Sequence, residues 1–133
     1  MAEVDTAAAD QKAERKRATI LVVEDDSALR EFLCTALAEE FDVECAVSGE
    51  EAIKIAQRVR PDVVLLDVML PGVNGLDVVR RIRSDPALSG IPVLVMTAFS
   101  EIEAGEAEAA GANRFLAKPF DLLELTAAVK DLL

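Results

Sequence analysis

The chain has 133 residues, 52% of them hydrophobic, a net charge of -11 from 14 basic and 25 acidic side chains, two cysteines and no histidine. That length predicts one domain with one core. The apolar runs are only a few residues long, too short to span a membrane. The absence of histidine excludes His-based metal sites and His general bases. The acidic excess repels nucleic acid and anionic lipid, so neither direct DNA binding nor membrane binding is expected.

Residues 1 to 18 are alanine-rich and then charge-rich, without an apolar stretch of the kind a secretory leader carries. They are expected to be a flexible extension of a domain over residues 19 to 133, and the expected compartment is the cytoplasm. Thr19 to Val23 reads as a strand that ends abruptly in Glu24-Asp25-Asp26. From Ser27 the residues Leu29, Phe32, Leu33, Ala36 and Leu37 recur at helical spacing. Phe41 to Val47 reads as a second strand. Cys34, on the helix, and Cys45, on this strand, are expected to be separate small core residues.

Ser48 with Glu51 forms a capping box for a helix to about Val59, and Arg60-Pro61 stops it. The next run, Val63 to Leu66, is apolar without alternation, which is the pattern of a strand covered on both faces of a parallel sheet. It leads into Asp67, a Pro71-Gly72 turn and Asn74-Gly75. A third helix turns Val78, Val79 and Ile82 inward, and Ser84-Asp85-Pro86 breaks it. Pro92 to Met96 is the fourth strand, ending in Thr97-Ala98-Phe99. Ser100 and Glu103 form a second capping box for a helix that closes at Gly111. Asn113 to Ala117 is the fifth strand, ending in Lys118-Pro119. Asp121 and Glu124 cap the last helix, with Leu122, Leu125, Val129 and Leu132 facing inward.

Five strands alternating with five helices predict an α/β fold with a doubly wound, five-stranded parallel sheet in flavodoxin-like order 2-1-3-4-5. Ligands bind such sheets at the carboxyl ends of the strands. That order brings Glu24, Asp25 and Asp67 to one crevice, with Thr97 and Lys118 on the same edge. Two like charges about 4 Å apart repel by about 4 kcal/mol at an effective dielectric near 20, so clustered carboxylates call for a cation or raised pKa values. Oxygen-only ligands suit Mg²⁺. Asp67 is then placed to act as a carboxylate nucleophile toward a phosphoryl group, with Lys118 offsetting its charge. Each residue also has an ordinary alternative. Glu24, Asp25 and Asp26 can cap a helix, Asp67 can cap a turn, Thr97 can be a strand-end hydroxyl and Lys118 a solvated charge.

Ile-Leu-Val-Val-Glu-Asp-Asp, Val-Val-Leu-Leu-Asp-Val-Met-Leu-Pro-Gly-Val-Asn-Gly, Val-Leu-Val-Met-Thr-Ala and Phe-Leu-Ala-Lys-Pro-Phe together resemble the receiver domains of response regulators in two-component signalling. The resemblance covers Thr19 to Leu133. It implies a phosphoacceptor domain, not a turnover enzyme, that takes a phosphoryl group onto Asp67 from a sensor histidine kinase or a histidine phosphotransfer protein. It implies Mg²⁺ bound by Asp25 directly, Glu24 through water, the Asp67 carboxylate and the Met69 backbone carbonyl. Thr97 would contact the phosphoryl group, Lys118 would pair with it, and the Lys118-Pro119 bond would be cis. Thr97 and Phe115 would form the switch, read by a downstream protein on the face of the fourth helix, fifth strand and fifth helix. Met69 and Phe99 would tune the lifetime of the phosphoryl group.

Two positions depart from the family pattern. Phe115 stands where many relatives carry Tyr, and the last helix lacks the basic residues of receivers that dimerise in DNA-binding regulators. A stand-alone receiver is expected, with a receiver excised from a longer regulator or hybrid kinase as the alternative. A small phosphatase with an Asp nucleophile is disfavoured because the second acid it needs two residues on is Met69. A nucleotide- or flavin-binding module is disfavoured because no Gly-rich loop follows the first strand.

Overall fold

The structure is a computed structural model that describes residues 17 to 98 and 101 to 133, with backbone alone for 101 to 104. The strands are β1 (Thr19–Val23), β2 (Asp42–Ala46), β3 (Val63–Asp67), β4 (Val93–Thr97) and β5 (Arg114–Ala117). The helices are α1 (Ser27–Leu37), α2 (Gly49–Val59), α3 (Gly75–Ser84), α4 (Glu101–Ala110) and α5 (Leu122–Leu132). All strands are parallel in the order β2-β1-β3-β4-β5, as the alternation of elements predicts. Just before β1, Arg17 donates to the carbonyl of Phe41 at 2.9 Å, and Ala18 O accepts from Asp42 N at 2.9 Å.

The unalternating runs are explained by two cores, one on each face of the sheet. Leu21, Val23, Val64, Leu66, Val93 and Val95 pack under α2, α3 and α4. Ile20, Val22, Val63, Leu65, Leu94 and Met96 pack under α1 and α5. Successive strand residues point to opposite faces, so the side chains of Glu24 and Asp67 continue the rows that face α1 and α5. Burying one such large apolar side chain contributes roughly 1.5–3 kcal/mol, so β1, β3 and β4 form a rigid base for whatever lies at their ends.

Local chemistry sets the element ends. Asp26 caps α1 by accepting from Ala28 N and Leu29 N, Ser48 Oγ accepts from Glu51 N at 3.3 Å, and Asp121 accepts from Glu124 N at 2.8 Å. Arg60 closes α2 in the left-handed region at φ 50°, followed by Pro61. The box expected from Ser100 and Glu103 lies outside the described side chains. β4 begins one residue later than expected: Pro92 gives its carbonyl to Val64 N at 2.9 Å but has no N–H to continue the ladder.

Three side-chain expectations are corrected. Phe32 is 52% exposed, because α1 covers only the β1 and β2 side of the sheet and its flank is open. Leu122, in the first turn of α5, is 41% exposed, while Leu125 and Val129 are buried. Cys34 and Cys45 are not separate core residues but a disulfide joining α1 to β2, with Cys45 exposed. Closing a loop of this size contributes on the order of 3 kcal/mol through the unfolded state.

Gly75 ties this frame to the Asp67 loop. A Cβ there would stand 2.3 Å from Asp67 O and 2.7 Å from Val68 Cα, both backbone atoms that cannot rotate away. Gly75→Ala should therefore destabilise the protein by about 2–4 kcal/mol in urea melts. Gly105→Ala, in mid-helix with nothing within 4 Å of the new Cβ, should stabilise it by roughly 0.5–1 kcal/mol. Equal effects of the two would contradict the close approach.

Candidate phosphoryl-acceptor site

Strand register builds the site. Val23 pairs with Leu66 and Thr97 with Ala117, so Glu24 follows β1 beside Asp67, and Lys118 follows β5. The backbone ladder runs past the strand ends, with Val68 N donating to Met96 O at 3.1 Å and Lys118 N to Thr97 O at 2.6 Å. Glu24 is 1% exposed, Asp67 5% and Thr97 4%, the only polar or charged side chains buried among the described residues. Lys118 Nζ donates to Asp67 Oδ2 and lies 3.3 Å from Glu24 Oε1. Asp67 Oδ1 accepts from Met69 N at 2.7 Å.

This is two buried carboxylates held by one ammonium. The Glu24 carboxyl is pushed up to about 7, first by burial and then by its hydrogen bond to Asp67 and the Asp67 charge; the Asp26 N–H and the Lys118 charge act the other way. Burial alone would lower the Lys118 ammonium, but its bonds to Asp67 and the charge of Glu24 raise it. One cation therefore leaves the acids under-compensated. The donors are all oxygens, which suits a hard divalent ion in kind. Asp25 is exposed on the loop, and among the described residues no group of three or more Asp, Glu, Cys or His side chains stands together as a metal cluster. The pair that converges is Glu24 and Asp67.

The other expected positions fall around this pair. Met69 is 70% exposed beside it, and Phe115 on β5 is 44% exposed. Phe99 lies outside the described residues. The Lys118-Pro119 peptide is cis. One residue escaped the sequence reading: Arg30 on α1 donates to the carbonyls of Glu24 at 2.9 Å and Asp25 at 3.1 Å and fixes the acid loop from below. Its position four residues after the Asp26 cap, on the side of α1 beneath the loop, was the available signal.

The raised Glu24 carboxyl has a stability consequence. The unfolded chain ionises this group near its ordinary 4.5, the folded one near 7, so between those values the folded state holds the extra proton. Glu24 therefore makes stability fall as pH rises through that window, and the full cost is present above it. Glu24→Gln should flatten this slope, gaining roughly 1–3 kcal/mol on the parent between about pH 5 and about pH 8 in chelator. Urea melts at both pH values check it, and parallel pH dependence in the two proteins would contradict the buried acid pair.

Comparison with known proteins agrees with the geometry. The family model for the response regulator receiver domain matches residues 20–130. The DNA-binding response regulator MtrA of Mycobacterium tuberculosis is 41% identical over 116 residues, which are 86% of this chain and 50% of that protein. The DNA-binding dual master transcriptional regulator RpaA of Synechocystis is 38% identical over 86% of this chain and 48% of its own length. The chain thus spans about half the length of these curated relatives. Among solved structures, the chemotaxis protein CheY4 of Vibrio cholerae superposes with a TM-score of 0.84 at 31% identity, covering 88% of this chain and 99% of that one. A putative response regulator from Chloroflexus aurantiacus gives 0.83 at 39% identity, over 88% and 98% of the two chains. The chain belongs to the response regulator receiver domain family, with the CheY-like α/β fold.

Proposed function

We propose that this receiver takes a phosphoryl group onto Asp67 from a phosphohistidine of a sensor histidine kinase or a histidine phosphotransfer protein, and passes the change to a protein partner. The observation that carries this reading is Lys118 bonded to Asp67 beside the buried Glu24. An Asp67 carboxylate oxygen attacks phosphorus, the phosphorus–nitrogen bond of the donor breaks, and the imidazole leaves. Lys118, already at Oδ2, is placed to follow the new charge onto a phosphoryl oxygen, and the Met69 N–H holds the other carboxylate oxygen in place. Glu24, Asp25, Asp67 and the Met69 carbonyl would hold Mg²⁺, whose charge offsets the phosphoryl oxygens when it is bound. Thr97, buried at the end of β4, would contact the phosphoryl group, and Phe115, half-exposed on the strand paired with β4, would report that contact on the face of α4, β5 and α5. Two states there differ in population only through contacts made in one and not the other. The expected compartment is the cytoplasm, and the protein is expected to turn over no external substrate.

Asp67→Asn should abolish the Mg²⁺-dependent, hydroxylamine-sensitive mass increase that acetyl phosphate produces in the parent. Undiminished labelling of the variant would remove the assignment.

The entrance side chains are proposed to set the lifetime of the modification. An in-line water is better oriented by a polar side chain than by the exposed thioether of Met69, and Phe99 is proposed to act in the same way. Met69→Asn with Phe99→Glu should speed loss of the phosphorylated mass by roughly tenfold. Equal decay, or faster decay in the parent, would contradict it.

A further inference from the structure

The Cys34–Cys45 disulfide lies away from the phosphoryl-acceptor site, yet it joins the two elements that hold the acid loop. On one side Arg30, one turn before Cys34 on α1, donates to the carbonyls of Glu24 and Asp25. On the other, Glu24 N donates at 3.1 Å to the carbonyl of Ala46, the residue after Cys45 on β2. Asp26, the cap of α1, completes the loop. The bridge therefore ties α1 to β2 at a point from which each reaches Glu24 within a few bonds. β2 is an edge strand whose outer side pairs with no other strand among the described residues. Apart from the bridge, α1 and β2 are held by side-chain packing and, at the far end of the helix, by the connection between them, where Phe41 N donates to Leu37 O at 2.9 Å and Arg17 donates to Ala38 O and Phe41 O and pairs with Asp42 at 3.3 Å.

The bridge is also open to reagents. Cys45 is exposed, Cys34 is half-buried, and both line one open groove of about 650 Å³ together with Arg17, Thr35 and Asp42. A thiolate can enter along this groove without the core opening.

We propose that Cys34 and Cys45 form a reversible thiol–disulfide exchange site whose oxidised state holds the acid loop in order. The co-reactant is an external dithiol. Its thiolate attacks Cys45 Sγ, the bond to Cys34 breaks, and Cys34 leaves as a thiolate that takes up a proton. The second thiol of the reagent then displaces Cys45, which is protonated in turn, so two electrons and two protons pass to the chain and the reagent ends as a disulfide. Reduction loosens α1 against β2 and, through Arg30 and Ala46, lets Glu24 and Asp25 fluctuate. An effect on phosphorylation rests on the function proposed above; the effect on the loop does not.

The test compares oxidised protein, dithiothreitol-reduced protein and the Cys34→Ser/Cys45→Ser double variant. Oxidised protein should take up no iodoacetamide, and reduced protein two groups per chain with its circular dichroism intact. Amide exchange over residues 24 to 34 should run roughly threefold or more faster in the reduced protein and the double variant, with β3 and β4 unchanged. Acetyl phosphate should label the oxidised protein faster. Two reactive thiols persisting after oxidant treatment, equal exchange over residues 24 to 34 in both redox states, or global unfolding on reduction would each overturn the proposal. Faster exchange on reduction with no labelling of Asp67 in either state would support it and remove the function proposed for Asp67.

Discussion

The Lys118 ammonium, shared between the buried carboxylates of Glu24 and Asp67, is the interaction on which the rest of the site depends. Neither acid is stable at its depth as a lone charge, so losing the Lys118 ammonium would strand both, the kind of truncation that typically costs about 3–5 kcal/mol. The three residues stand at the ends of β1, β3 and β5, so the charge cluster draws on nearly the full width of the sheet. It sits where the apolar rows stop and the backbone ladder still continues. Charge strain and rigid placement are thus combined in one spot: the strands cannot shift to relieve the acids, and the acids retain an unmet demand for positive charge.

Most of that spot was legible in the sequence. An apolar run without alternation marked β3 as covered on both faces, which put Asp67 at a strand end, and the element count fixed its neighbours. Glu24 and Lys118 followed because they too end strands in the predicted order. The sequence put both Glu24 and Asp25 at the crevice, and which of the two is buried beside Asp67 turns on strand parity past the end of β1. Parity sends Glu24 inward, leaves Asp25 in solvent and makes Asp26 the helix cap.

The features the sequence did not reveal depend on how α1 sits on the sheet. Period alone placed Phe32 in the core, yet an outer helix over an edge strand leaves one flank bare. The pairing of Cys34 with Cys45 needs the rotation of α1 relative to β2, a tertiary quantity with no local signature. Arg30 bonds backbone carbonyls, so its only local signal is its spacing four residues after the Asp26 cap. Each of these residues touches the acid loop or the helix that follows it, so α1 joins the buried acid pair to the edge of the sheet.

The most direct measurement is a crystal structure with Mg²⁺ and fluoroberyllate, a phosphoryl mimic that attaches to a carboxylate. Beryllium is expected on an Asp67 carboxylate oxygen, with the metal held by Glu24, Asp25 and Asp67 and with Lys118 drawn from Glu24 to a fluorine. A fluoroberyllate group attached to another residue, or Lys118 still bridging Glu24 and Asp67 with the mimic bound, would contradict it.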